Sequence, residues 1–333
     1  MVDIVVTISP LLERNELNVA VDQCTTSGIK KIRINVAKIF DEESEKKLLD
    51  NILFVKKRIN NCSILLDCAY PRLKSRIHID GLINIKKDKE YFIQKSDRIA
   101  KQKDTISVDN LSDELFVNQI LYYGDGEGGF QVVDIEQNKI LVRSICDFTI
   151  YDSKTITNSN LYTNESYDSF INRLCNLVRP EEVAFSFVEE SRDLSYPLEL
   201  KDKFGFSIVC KIETEKGIRN LKRIASRTDK IMIGRGDLGL YSDITMLYQE
   251  QIEIFKIAKS FNKNVYVATD IMESLNRRYL PSRADIIDAS ILYENEPEGI
   301  ILNYSIIYNY KLARVVEILK KIEKNCLNNI EIK

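Results

Sequence analysis

The chain has 333 residues, 44% hydrophobic and 29% charged, and a formal net charge of −2 from 48 lysines and arginines against 50 aspartates and glutamates. So balanced a charge gives no grip on a nucleic acid, and no apolar run reaches the roughly 18 residues of a membrane span. Seven scattered cysteines without a C-x-x-C pair fit reduced thiols in a cytoplasm, and a lone histidine, His78, all but excludes a Ser-His-Asp triad.

The first run, IVVTI (4–8), reads as a strand and not as a signal peptide, since Asp3 precedes it. Further runs rich in valine and isoleucine follow at 29–35, 63–68, 183–188, 206–212, 230–234, 265–269 and 299–303, eight in all. Between most of them lie helix-like segments such as 42–59 and 246–262. In the latter, Leu247, Tyr248, Ile254, Phe255, Ala258 and Phe261 are expected on one face. The last helix is expected at 306–325. Eight alternations of strand and helix predict a closed (β/α)₈ TIM barrel more than an open sheet. The rhythm fails once, between Asp67 and Val183, where IDGLINI, YFIQ, DTISV and KILVRSI have strand character and YYGDGEGGFQVV reads as a hairpin. The expected organisation is therefore a barrel of residues 1–72 and 159–333. A small inserted β domain, barrel-like, fills 73–158 after strand three, with the polar segment 152–165 as its return linker.

A β/α barrel carries its site at the C-terminal ends of its strands. There the sequence places Arg33 and Asn35, Asp67, Ser186, Lys211 and Glu213, Arg235 and Asp237, Thr269 and Asp270, and Asn303. Three basic side chains and four carboxylates are thus expected to converge on one rim. Glu213 and Asp237 supply the hard oxygens that Mg²⁺ or Mn²⁺ prefers, with water and substrate oxygens filling the other positions. Lys211 and Arg33 then face a phosphate or a developing enolate. RGDLG (235–239), with Gly236 and Gly239, either brings backbone N–H groups close to such an ion or is only a tight turn.

These residues lie in motifs that resemble those of pyruvate kinase. KIETEKG (211–217) is similar to the family's KIEN-x-x-G, IMIGRGDLG (231–239) to IMVARGDLG, ATDIMES (268–274) to ATQMLES, and PSRAD (281–285) to PTRAE. VVTISP (5–10), RIN (33–35) and SFV (186–188) resemble shorter family motifs, and the inserted domain falls where the family carries its mobile lid. The resemblance covers about residues 1–320. It implies Lys211 as the lysine that stabilises the enolate and the transferring phosphoryl group. It further implies Glu213 and Asp237 as metal ligands, Thr269 beside the methylene carbon, Arg33 and Ser186 as phosphate contacts, and Gly236 in the substrate-binding turn.

The departures matter as much. The family's NFSHG becomes Asn35-Val36-Ala37-Lys38, and its D-T-K-G-P-E-I-R becomes Asp67 to Lys74, which puts Lys74 in place of an arginine near the phosphates. The lid's basic motif is not recognisable near 142–150, and the family's C-terminal regulatory domain is expected to be missing. Of the monovalent-cation pocket only Asn35 and Asp67 remain, with Arg72 where potassium-dependent members carry glutamate, so K⁺ is not expected to be required. The reading is a Mg²⁺-dependent phosphotransferase handling phosphoenolpyruvate or pyruvate, its acceptor ADP, bound weakly, or another molecule. A metal-dependent pyruvate-enolate lyase or aldolase, and a non-catalytic relative, stand beside it. The oligomeric state, a dimer included, stays open.

Overall fold

The structure is a computed structural model that describes residues 2–36, 41–72, 75–96, 98–109, 111–112, 114–157, 163 and 165–330. The chain forms two compact units, Met1–Pro71 with Asn164–Lys333, and Arg72–Thr163.

In chain order the strands are β1 (Asp3–Ile8), β2 (Lys31–Asn35) and β3 (Ser63–Cys68). In the second unit come β4 (Ser75–His78), β5 (Leu82–Ile85), β6 (Glu90–Lys95), β7 (Thr105–Val108), β8 (Ile120–Tyr123), β9 (Gly128–Glu136), β10 (Lys139–Ser144), β11 (Phe148–Tyr151) and β12 (Thr155–Ile156). The first unit resumes with β13 (Glu182–Phe185), β14 (Ser207–Ile212), β15 (Lys230–Gly234), β16 (Asn264–Ala268) and β17 (Gly299–Leu302).

The eight strands of the first unit close a parallel barrel in the order β1-β17-β16-β15-β14-β13-β3-β2, each at one of the expected runs. In the second unit β10-β6-β7-β4-β12-β8-β9 close a smaller barrel, beside which β11 and β5 pair alone. The expected hairpin is present: β8 and β9 run antiparallel, with Tyr123 opposite Gly128. The segment expected as a return linker is not all linker, because Thr155–Ile156 pairs with both β4 and β8. Its polar composition concealed a two-residue strand that completes the barrel.

The helices follow elementary rules. Helix Glu42–Arg58 starts at Asp41, whose carboxylate accepts the Ser44 N–H, has Glu42, Glu43 and Glu45 in its first turn and ends on Lys56, Lys57 and Arg58. That order of charge complements the helix dipole. Leu48, Ile52 and Val55, spaced by four and three, are its buried stripe. Helix Leu247–Ser260 buries Gln251, Ile254, Phe255 and Ala258, while Tyr248 is 56% exposed. At 100° per residue Tyr248 lies roughly 70° from the centre of that stripe. The expected final helix is two helices, Tyr304–Tyr308 and Leu312–Ile330, because Tyr310 between them takes φ 57°. No described helix is long and apolar enough to cross a membrane.

Period-two alternation sorts the main barrel's strands into two faces. Ile32, Ile34, Leu66, Val183, Ile208, Ile212, Ile233 and Val267 pack outward under the helices. Inside, Val5, Leu65, Ala184, Val209, Met232, Tyr266, Ala268 and Ile301 form an apolar plug. Below the plug, at the N-terminal strand ends, lies a charged layer. Lys31 Nζ is 3.1 Å from Glu182 Oε1 and Lys230 Nζ 2.8 Å from it, while Lys230 also pairs with Glu298. The Tyr266 hydroxyl accepts from Lys31 and stands 3.0 Å from Glu182 Oε1 and 2.9 Å from Glu298 Oε1. Gly299 makes room for that ring, since a Cβ there would come within 2.8 Å of it.

This layer makes stability depend on pH. Burial raises the Glu298 pKa, but Lys230, then Tyr266 and Lys31, outweigh it and hold the carboxyl below its ordinary value. A carboxylate whose pKa falls on folding stabilises above its unfolded value, about 4.3, and loses that contribution as pH drops through the folded value. Glu298→Gln is therefore expected to cost about 1–3 kcal/mol at pH 7. The gap to wild type should close below about pH 4. Urea unfolding across that range measures it, and a gap independent of pH would contradict the assignment.

Candidate active site

Above the plug, the inward positions at the C-terminal strand ends become polar. β2 turns Arg33 inward; its Nε and Nη2 donate to Asp67 Oδ2 at 2.8 and 2.5 Å, and its Nη1 to Thr7 Oγ1 at 3.0 Å. Asp67, 1% exposed, is thereby saturated on one oxygen. Its Oδ1 accepts from Lys211 Nζ at 3.1 Å. Lys211 also donates to Ser186 Oγ at 2.8 Å and pairs with Glu213 Oε1 at 3.0 Å. An ammonium has three N–H donors, so these contacts use its whole capacity.

The cluster is charged despite its burial. Burial raises the Asp67 pKa, but Lys211 and then Arg33 outweigh it and keep the carboxyl below its usual value. Burial lowers that of Lys211, yet Asp67 and Glu213 together more than restore it, with a further contribution from Asp237. The lysine is held as an ammonium.

Local structure places each group. Lys211 and Glu213 flank Ile212 on β14 and so share the inner face, while Ile212 is buried among the helix-side residues. The strand ends where Thr214 caps helix Glu215–Arg219 by accepting the Gly217 N–H at 3.1 Å. The Thr214 hydroxyl donates to Glu189 at 2.9 Å, which fastens this end of β14 to the segment after β13. In that segment Phe187 has φ 52° and donates its N–H to Glu213 Oε2 at 2.8 Å. Asn35 ends β2, half-buried, opposite Asp67 in the strand register.

RGDLG is not a tight turn: Arg235–Tyr241 is a helix, with Gly236 and Asp237 half-buried in its first turn. Arg235 does not join Lys211 and Arg33. Its Nε and Nη2 donate to the Thr269 carbonyl at 3.1 and 2.6 Å, and its Nη1 to Asp288 at 2.6 Å. It is thus a brace for the turn after β16, where Thr269 (φ 81°), Asp270 (φ 57°) and Met272 (φ 60°) all adopt left-handed backbone. That conformation is costly for a β-branched residue and persists only when neighbours fix it. Asp270 is exposed, and its charge bears on Glu273 instead of Lys211. Asn303 caps the next helix by accepting the Tyr304 N–H at 2.8 Å.

Of the expected site residues, Arg33, Asp67, Ser186, Lys211 and Glu213 come together in direct contact, and Asp237 acts on the same ammonium. Arg72 is half-buried in the second unit, and Lys74 lies outside the described residues. Among the described residues no three of the His, Cys, Asp and Glu side chains are grouped to hold a metal ion alone. Sequence reasoning missed Thr7, the Phe187 amide, Asp288 and Gly234 as members of the site's surroundings. Thr7 alone had a signal, as the one polar inward position of the first run.

The fold and site define a (β/α)₈-barrel protein whose C-terminal mouth carries a buried lysine between carboxylates. Comparison with known proteins narrows the class. A family profile described as "Pyruvate kinase, barrel domain" matches residues 1–292. The chain belongs to the pyruvate kinase family. It is 24% identical to pyruvate kinase of Thermotoga maritima over 98% of this chain and 71% of that protein. It is 26% identical to that of Staphylococcus epidermidis over 87% of this chain and 51% of that one. The chain thus spans about half the length of such staphylococcal relatives. Among solved structures, Cryptosporidium parvum pyruvate kinase superposes with a TM-score of 0.84 at 21% identity, covering 98% of this chain and 71% of that one. The same enzyme in complex with ADP gives 0.82 over 96% and 68%. At that identity the likeness speaks for the fold.

Proposed function

We propose that this protein is a phosphotransferase that moves the phosphoryl group of phosphoenolpyruvate to an acceptor, leaving pyruvate, with Mg²⁺ or Mn²⁺ as cofactor. The observation that carries the reading is the Lys211 ammonium held between Asp67, Ser186 and Glu213 at the barrel mouth. The donor set fits a hard dication. Glu213 pairs with Lys211, the charge of Asp237 also bears on Lys211, and Mg²⁺ takes one or two carboxylates and leaves the rest to water and substrate. Arg33 and Lys211 face Asp67 and Glu213, and Asp237 adds an excess negative charge.

When bound, such an ion polarises the keto oxygen and offsets phosphate charge. The chain's own groups do the rest. Lys211, on exchanging one of its three present acceptors, donates to the oxygen on which enolate charge develops, Arg33 and Ser186 contact the phosphoryl oxygens, and Thr269 stands beside the methylene carbon. Asp67 keeps Arg33 and Lys211 oriented, so little reorganisation is needed as charge moves. The lid's basic motif and the histidine of the family's NFSHG are not found in the sequence, and Lys74 compensates only in part because it lacks the bidentate fork of arginine, so ADP is a weak acceptor. Seven free cysteines suit a cytoplasmic, reducing setting.

Incubating the protein with phosphoenolpyruvate, Mg²⁺ and a panel of acceptors that includes ADP tests this by pyruvate release. Metal-dependent release with at least one acceptor, slow with ADP, is expected; release with none removes the proposal. K⁺ is expected to add nothing over tetramethylammonium. The Arg33 guanidinium already neutralises Asp67 in the degenerate monovalent pocket, and Arg72 replaces the family's glutamate. Several-fold activation by K⁺ would contradict this.

A further inference from the structure

The ladder between β15 and β16 ends where Gly234, whose missing Cβ leaves the space that Glu213 fills, stands opposite Ala268. The next residue on each side leaves strand geometry: Arg235 opens a helix, and Thr269 takes φ 81°. Along β16 the side chains alternate. Val265 and Val267 pack outward with the helix-side residues, while Tyr266 and Ala268 belong to the inner plug. By that count Thr269 belongs on the outer face, away from the mouth. Its backbone breaks the count. A parallel strand has φ of about −120°, so φ 81° turns the residue by roughly 160° about its N–Cα bond and swings its Cβ off the outer face. A β-branched residue keeps such a backbone only where its surroundings fix it.

We propose that Arg235 is a positioning residue that turns Thr269 toward the barrel mouth, with Asp288 fixing the guanidinium that does so. This rests on the function proposed above, in which Thr269 stands beside the methylene carbon. Two donors of the planar fork, Nε and Nη2, converge on the Thr269 carbonyl at 3.1 and 2.6 Å, where the ladder supplies no further partner. The third, Nη1, donates to Asp288 at 2.6 Å, and the arginine side chain is 10% exposed. Asp288 lies on helix Arg283–Glu294. The same helix and its cap hold the far end of the turn: the Ser282 N–H donates to Ser274 Oγ at 2.8 Å, and Ser274 donates to Asp285. The segment from Thr269 to Ser274 is thus tied at both ends to one helix, and the tie at Thr269 runs through Arg235. A rigid fork can hold a carbonyl and a carboxylate at once, which a lysine cannot. Arg235 acts on the reaction through Thr269.

The test is the metal-dependent exchange of pyruvate methyl protons into deuterated solvent, followed on the full chain with kcat and KM separated. Arg235→Met loses the fork and is expected to lower kcat about tenfold while KM for pyruvate stays within about twofold, because the carbon reacts beside Thr269 but the anion is held by other groups. Thr269→Val removes the hydroxyl, and adding Arg235→Met to it should lower kcat by less than about a further twofold. A merely structural arginine would move KM as much as kcat, or cost the same factor in both backgrounds. Either result overturns the proposal, and so does an unchanged kcat. Should Arg235→Met not fold, Asp288→Asn takes its place at a half-exposed position, with kcat expected to fall by at least about threefold and no such fall beside Thr269→Val. Wild-type rates in Asp288→Asn then overturn the proposal. No metal-dependent exchange by the wild type removes the phosphotransferase reading and this proposal with it, whereas exchange indifferent to Arg235 and Asp288 overturns the proposal alone.

Discussion

Lys211→Met is expected to slow the metal-dependent exchange of pyruvate methyl protons into deuterated solvent by about 10²-fold or more, the scale of losing one preorganised charge. Exchange needs no phosphoryl acceptor, so it isolates the half of the site that Lys211 serves. Lys211 is 7% exposed and charged, and under the proposed function it is the fixed cation from which a developing enolate oxygen gains stabilisation. Methionine keeps much of the lysine's length and packs without charge. The fold survives because Asp67 retains Arg33 and Glu213 retains the Phe187 amide. Circular dichroism checks the fold, and NMR of the methyl signal follows the exchange. Equal rates in wild type, Lys211→Met and metal-free protein would leave the non-catalytic reading in place.

What the sequence made legible was what repeats or lies close along the chain. Eight apolar strands alternate with helices, and each falls at its expected run because period-two burial leaves a local trace. Lys211 and Glu213 were readable as one face for the same reason, Ile212 standing between them. Other features depend on residues far apart that only the closed barrel joins. Nothing near Gly234 announces that its missing Cβ houses a side chain from the strand before it. Arg235 looked like a third active-site cation, yet its guanidinium is engaged by the Thr269 carbonyl and by Asp288, 53 residues away. The charged layer is drawn from the first residues of three strands, Lys31, Glu182 and Lys230, and from Glu298 just before a fourth, each of which alone reads as ordinary polarity. Tyr310 and Thr155–Ile156 show the local limit. A left-handed residue in an apolar stretch and a two-residue strand in a polar one both run against composition.

Asp67→Asn is expected to be the most destabilising single substitution in the site, lowering the unfolding free energy by about 3–5 kcal/mol. The carboxylate is 1% exposed and accepts from Arg33 on one oxygen and Lys211 on the other. Asparagine keeps its shape but presents an NH₂ group and no charge, so two cations are left facing each other across an amide that can accept from only one side. The cost is that of uncompensated buried charge, not of lost packing, and this separates it from a cavity-forming change. Adding Arg33→Met to Asp67→Asn removes one of the stranded cations. The double variant should therefore be more stable than Asp67→Asn alone, by at least about 1 kcal/mol, although it carries one substitution more. Lys211 keeps Glu213 as its partner in both. Denaturant unfolding of the three proteins at pH 7 and constant salt measures the coupling. If the double variant is less stable than Asp67→Asn, Asp67 is not what reconciles the two cations, and the electrostatic account of the barrel mouth fails with it.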